Sequence, residues 1–513
     1  MICYGFDNFE RRTPNWNPVA FQAPGNDTEC LLLRRYARAI KRQPGQTFLA
    51  RSADGKEQRE SEEMNHLSET GSESGKLRPS QRLAIAALLV LAPGATLMAQ
   101  SPAQKPMQPR LTHPGNGPGG LPQTTFLVHR LGMDHAEGIT TMDVNGDGWP
   151  DLLSGAYWYE NPGPLGGEWK RHQYRQVGIL NEFVSDSGEW AVDVNHDGRP
   201  DVVTTGWMLN GLWWFENPGK AGGLWVEHKI TDSYDTEGGV MADINGDGKP
   251  DIALAHYNHS GILWVDFSGP VPKVHHVGKR EQDGHGIGVA DIDGDGRPDI
   301  LTPYGWFRNI DADHDKWEWH PDWNLGDAGF PILGYDVNHD GQMDLIYGQG
   351  HSYGLYWLEQ QGTGSARHWV RHVIDESYSQ IHALKLADIN GDGEPELIAG
   401  KRYRGHSGHD PGSYDPLVVY YYTIDRKHAT FTRHAISANG TAGVGTQILA
   451  LDLDKDGDID LATAGKTGVH FFENLTIDKI PAATREKQLL LDPNWPYVGE
   501  GVRVQQEDGP PLE

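Results

Sequence analysis

Seven copies of one acidic signature run through this chain and constrain its fold more than any other feature. They are DVNGDGWPD (143–151), DVNHDGRPD (193–201), DINGDGKPD (243–251), DIDGDGRPD (291–299), DVNHDGQMD (336–344), DINGDGEPE (388–396) and DLDKDGDID (452–460). Each places oxygen-bearing side chains at alternate positions around an Asp-Gly and then enters a β-branched stretch. Oxygen donors in that alternation, with glycine permitting a sharp turn, are what a hard cation such as Ca²⁺ requires. The copies start 50, 50, 48, 45, 52 and 64 residues apart. That is about one four-stranded propeller blade per copy.

An EF-hand opens the same way but needs a bidentate Glu at loop position 12 and helices on both sides. Position 12 here is Ser154, Thr204, Leu254, Thr302, Tyr347, Ala399 and Thr463, and the flanks (DLLSG, DVVTT, DIALA, DILTP) read as short strands. Strand–loop–strand is the better reading. The expected fold is all-β: a seven-bladed β-propeller with a Ca²⁺ loop in each blade.

Positions 1, 3, 5 and 9 are the expected ligands of up to seven Ca²⁺ ions. In the first three loops these are Asp143, Asn145, Asp147 and Asp151; Asp193, Asn195, Asp197 and Asp201; and Asp243, Asn245, Asp247 and Asp251. The fourth and fifth offer Asp291, Asp293, Asp295 and Asp299, then Asp336, Asn338, Asp340 and Asp344. The last two offer Asp388, Asn390, Asp392 and Glu396, then Asp452, Asp454, Asp456 and Asp460.

The ends of the repeat predict how the ring closes. Each copy follows a strand bearing a basic residue or His (FLVHRL, EWKRHQY, WVEHKI and so on) and precedes an aromatic strand such as YWYENP or VHFFEN. After VHFFEN (469–474) no outer strand follows, while FLVHRL (126–131) has no blade of its own. The N-terminal strand is therefore expected to complete the seventh blade and remove the open sheet edge. The third-strand aromatics are expected to fill the space between sheets.

Five segments follow. Residues 1–75 read as disordered or as an extension from a misassigned start, and 76–100 (basic residues, then LAIAALLVLAPGATLMAQ) as a signal peptide cleaved after Ala99. Residues 101–121 form a Pro/Gly linker, 122–475 the propeller and 476–513 a tail. The product is expected to be secreted or periplasmic, with no stable membrane insertion after cleavage. Both cysteines, Cys3 and Cys30, precede the repeats, so no disulfide can staple the propeller and bound cations are the substitute. Net charge is −27, and all of the excess lies after residue 100, much of it at the loop ligands. Such a surface disfavours nucleic acid as a partner.

All seven cation loops must lie on one face of the ring. The opposite loops vary from blade to blade and carry the chemistry: His135, Glu137, Glu189, Glu237, His256, His351, Arg404, His406 and His409 as substrate contacts. His285 and His382 are read as base and acid, and Arg402 as the enolate-stabilising cation. An additional divalent metal in the central pocket is open to His406 and His409, three apart on one loop. The expected partner is a carbohydrate or another small molecule. The competing class is a non-catalytic module that binds glycans or proteins through the same mouth.

On these seven copies the chain resembles the FG-GAP/VCBS repeat family, the calcium-loop propellers also found in integrin α-subunit heads. It departs at Glu396, which replaces the last Asp, and at Met343, which replaces Pro; neither removes an oxygen ligand. The His-bearing mouth and the loop GKRYRGHSGHDPG (400–412) also resemble the propeller domain of fungal aldos-2-ulose (1,5-anhydrofructose) dehydratase. That resemblance implies elimination of water from keto-sugars, and no single catalytic residue is carried over from it. The fungal enzyme also has cupin domains that this sequence does not show.

Overall fold

The computed structural model describes Arg110–Leu111 and residues 126–476, except 181–182, 208, 220–222, 234–235, 256–260 and 439. The expectations for residues 1–75, the 76–100 signal, His256 and nearly all of the 476–513 tail fall outside the described residues. The described residues belong to one compact unit, Gln100–Glu513.

Each blade is four antiparallel strands in up-and-down order. In the third blade Gly239–Ala242, Asp251–Leu254, Ile262–Asp266 and Lys273–Val277 pair in turn, Val240 opposite Ala253 and Val265 opposite Val274. The same order recurs over 140–173, 188–231, 288–320, 333–379 and 384–437. The seventh blade joins the two ends of the propeller. Ile448–Leu451, Asp460–Gly465 and Gly468–Asn474 take Phe126–Gly132 as their outer strand, with Phe126 opposite Asn474 and Arg130 opposite His470. This is the closure that the repeat bookkeeping required. Arg110–Leu111, inside the stretch read as linker, adds a short fifth strand with Arg110 opposite Val128.

Burial explains the sequence of each strand. Second strands such as Asp151–Ser154, Asp201–Thr205 and Asp460–Gly465 are buried at every residue, because a neighbouring sheet covers each face. They therefore read as apolar runs rather than alternations. Leu254, Leu263 and Val265 of the third blade pack on Trp190, Val192 and Val203 of the second. Outer strands such as Lys170–Gln173 are mostly exposed.

The third-strand aromatics are core residues, and Trp158, Trp264 and Trp306 are fully buried. Each blade stacks such a ring against a histidine of its outer strand. Trp264 lies 3.9 Å from His275, Trp158 4.2 Å from His172, and Phe471 of the closing blade 5.1 Å from His129. Where a Glu follows two residues after the ring, the histidine also reaches it, as in His172–Glu160 at 2.8 Å and His372–Glu359 at 2.8 Å.

The Asn that closes the aromatic strand ties neighbouring blades together. Asn161 Nδ2 donates to Leu453 O at 2.9 Å, Asn309 to Ile244 O at 3.0 Å and Asn474 to Ile389 O at 2.7 Å. Among the described residues no helix is long and apolar enough to cross a membrane.

Candidate functional site

The cation loops are pre-shaped by their own side chains. In the first, Asp143 Oδ1 accepts from Gly146 N at 2.8 Å and Asp143 Oδ2 from Gly148 N at 2.8 Å, while Asn145 Oδ1 accepts from Asp147 N at 3.0 Å. Position 4 adopts the left-handed conformation, with Gly146 at φ 77° but also His196 at 58°, His339 at 59° and Lys455 at 60°. One oxygen each from Asp291, Asp293 and Asp295, and one each from Asp452, Asp454 and Asp460, lie within 4.8 Å of one another. This all-oxygen donor set fits a hard cation. The ninth residue has a second role that its spacing did not announce. Asp299 is fully buried, with Oδ2 accepting from Ile292 N at 2.9 Å and Oδ1 from Asn309 N at 2.8 Å. Asp151, Asp201, Asp344 and Asp460 repeat that pair of bonds.

On the opposite face, loops from five blades bring Glu137, Glu237, His285, His351, His382 and Arg402 together. His285 Nδ1 donates to Ala328 O at 2.8 Å, which aims Nε2 inward, 2.6 Å from Glu237 Oε2. Likewise His351 Nδ1 donates to Asp410 Oδ2 at 3.0 Å, and its Nε2 comes to 3.0 Å from His285 Nε2. His382 Nε2 accepts from Arg402 Nη1 at 2.9 Å. Arg402 is held from both sides, with Nη1 2.7 Å from Glu237 Oε1 and Nε 2.6 Å from Glu137 Oε2. Gly350 makes this approach possible, since a Cβ there would lie 2.6 Å from His285 Cε1.

Electrostatics divides the cluster. Burial alone would raise Glu237, but Arg402 and the imidazoles of His285 and His351 outweigh it and hold its carboxyl well below the usual range. Burial, then Arg402, push His382 well below the ordinary imidazole value. Burial would also lower His351, yet its bonds to Asp410 and Glu237 hold it at about 9. Asp410 is kept low against its own burial by hydrogen bonds from His351 and His406.

The remaining expected residues are placed differently. Glu189 is drawn away from the cluster: it pairs with buried Arg175, accepts from Gly155 N at 2.7 Å, and burial raises its carboxyl well above normal. His135 lies at the edge, with Nε2 3.8 Å from Glu137 Oε1. Arg404, His406 and His409 sit on the rim loop of the sixth blade. Of these, His406 stacks on His351 at 4.3 Å and its Nδ1 donates to Asp410 Oδ1 at 2.8 Å. His285 and His382 are nearly and fully buried, whereas the His406 side chain is 49% exposed. Sequence reasoning missed Asp410, Arg175, Asp186 and Lys401. Asp410 and Lys401 both lie in the loop 400–412, where Asp410 carries a signal as an acid four residues after His406; Arg175 and Asp186 carry none.

Backbone strain concentrates here too. Arg404, His406 and Ser407 have φ of 52°, 47° and 57°, and buried Gln380 beneath them has φ 59°. Such residues cost about 1–3 kcal/mol each and persist where their surroundings over-determine them.

A family model described as an FG-GAP-like repeat matches residues 193–254 and 336–399. No curated protein matches the chain. Among solved structures, the chain is similar to an Agrocybe aegerita lectin that recognises non-reducing terminal N-acetylglucosamine. The identity is 15% and the TM-score 0.31, over 72% of this chain and 90% of that one. An extracellular domain of a putative hybrid two-component system of B. thetaiotaomicron matches at 13% identity and TM-score 0.41, over 67% and 39%. Rhamnogalacturonan lyase YesW matches at 14% and 0.37, over 73% and 76%.

Proposed function

We propose that this seven-bladed propeller of FG-GAP-like repeats is an exported enzyme that performs β-elimination beside a carbonyl group of a carbohydrate, with Ca²⁺ in its loops. One observation carries the reading: three imidazoles, a guanidinium and two carboxylates from five blades meet within hydrogen-bond reach of one another. A module that only adheres would leave such groups spread over a flat rim. Desolvating them without a chemical use is costly.

The cluster also suits a divalent transition ion. The Nδ1 atoms of His285 and His351 donate outward, so an ion bound between the rings would take the place of the Nε2 proton that His351 otherwise holds and would meet a lone pair at each Nε2. Those two nitrogens and Glu237 Oε2 form a triangle with sides of 3.0, 2.6 and 3.6 Å. Tetrahedral ligands about 2.0–2.1 Å from a metal stand roughly 3.3 Å apart. His382, the fourth residue of the group, has its Nε2 lone pair taken by Arg402 Nη1 and would leave one position of such an ion open. An ion held there would polarise a substrate carbonyl oxygen. In this reading buried His285, taken from sequence as the base, holds the electrophile, and buried His382, taken as the acid, orients Arg402. The base is His406, oriented by Asp410 and open to solvent. His406 takes the proton from the carbon beside the carbonyl, that electron pair becomes the new C=C bond, and the β-oxygen leaves with the proton His406 returns.

The test is incubation of the folded, cation-loaded chain with keto-sugars and plain glycosides, read as ultraviolet absorbance of an enone. Absorbance should rise with keto-sugars alone and fall away in His406→Ala. A flat trace across the whole panel would leave the binding-module reading as the better account.

A further inference from the structure

Arg404 is unlike the other arginines around the mouth. Arg402 is clamped by Glu137 and Glu237, and Arg175 by Glu189 and Asp186. Among the described residues Arg404 contacts no carboxylate. Its Nε is buried without a hydrogen-bond partner, and its guanidinium lies 5.6 Å over the Tyr414 ring. A half-buried guanidinium with an unused donor is costly in a chain whose net charge is −27, where acidic partners are abundant.

The backbone has been forced to place it there. Arg404 is left-handed at φ 52°, ψ 50°, in the same short turn as His406 and Ser407. Its carbonyl accepts from Lys466 Nζ at 3.2 Å, which ties the turn to the seventh blade. The turn is tied to the reacting groups, because a Cβ on Gly405 would lie 2.7 Å from Asp410 Oδ2, the carboxylate that holds His351 and His406. The result is a planar cationic fork with no carboxylate partner among the described residues, carried by the same rim turn as His406, on a chain of strongly negative net charge. Only a ligand group that offsets the repulsion of that charge with two parallel bonds uses it.

We infer that Arg404 is the carboxylate-recognising residue of the mouth, and that the carbohydrate it selects is acidic, a uronate-bearing glycan rather than a neutral sugar. The inference rests on the reading of the mouth as a carbohydrate pocket, but it concerns binding and needs no turnover.

The test uses the full chain and two probes that differ in one group, an oligouronate and its carboxyl-reduced neutral counterpart, with affinity measured by calorimetry. The uronate should bind about tenfold or more tightly, the size of one charge-assisted interaction. That margin should shrink as salt is added. Arg404→Gln should bring the two probes to within about twofold, while Arg404→Lys, which keeps charge but not the fork, falls between. Equal binding of both probes by the unaltered chain, a preference that survives Arg404→Gln, or no uptake of the uronate at about 10 mM would each overturn the inference. Because neither substitution touches the blade cores, circular dichroism should show both variants folded. Uronate binding without enone formation would leave this inference standing and remove the elimination reading. Turnover of neutral keto-sugars without uronate preference would do the reverse.

Discussion

The two faces of the ring follow opposite rules. On one, seven loops repeat the same donors, the same left-handed positions and the same buried ninth carboxylate. On the other, loops anchored at the same places in their blades share almost nothing, and their side chains depend on residues as far apart as Glu237 and Arg402. Repetition serves stability, because each loop solves the same local problem of turning a strand without disulfides. In the proposed function divergence serves chemistry, because one central site needs different groups from different directions.

Removing cations tests that division most severely. If the loops hold Ca²⁺ only in the native state, each loop saturated at a hundredfold over its Kd contributes about 2.7 kcal/mol. A chelator selective for Ca²⁺ should therefore lower the melting temperature sharply, and equally in the unaltered chain and in His406→Ala. An unchanged melting temperature would break the comparison at its first term.

The mouth should respond in the opposite sense. His406→Ala or Asp410→Asn is expected to cut enone formation by about 10²–10⁴, the usual contribution of a positioned base, with thermal unfolding nearly unchanged. If either variant loses stability as fast as activity, the rim loop is structural after all.

A single loop carboxylate sharpens the contrast. Asp299→Ala leaves the N–H groups of Ile292 and Asn309 buried and unpaired. That should cost roughly 2–5 kcal/mol in denaturant unfolding while the surviving folded fraction turns over normally. The smallest effect concerns the exceptions at position 4. His339 holds the left-handed conformation that glycine occupies in four of the seven loops, so His339→Gly should raise stability by about 1 kcal/mol. A loss there would mean that the imidazole makes a contribution the loop geometry does not require.

Much of this was legible before any coordinate. The acidic loops are local in sequence, so their spacing and flanking residues declared a turn between two strands. The seam between 126–132 and 468–474 followed from counting strands, because a ring cannot leave one blade short. The aromatic strands were read as core, and Trp158, Trp264 and Trp306 are. What the histidines of the outer strands do was not legible: a lone His in a half-exposed strand carries no mark of the ring it will stack on. The Asn that closes the aromatic strand in four of the blades carries no local sign of its role, because its partner lies in the neighbouring blade.

The sequence by itself determined the number of blades, the position of the acidic loops, the point of closure and the roll of polar residues at the mouth. All of these depend on short-range periodicity and on the topology it enforces. Only the tertiary structure decided which mouth residues meet. It drew Glu189 off to Arg175, buried His285 and His382, made Asp410 the bridge between His351 and His406, and left Arg404 without a carboxylate. The physical reason is distance along the chain. A ring brings loops separated by up to hundreds of residues to within one hydrogen bond, and the order in which burial, charge and ring orientation select among them leaves no local trace.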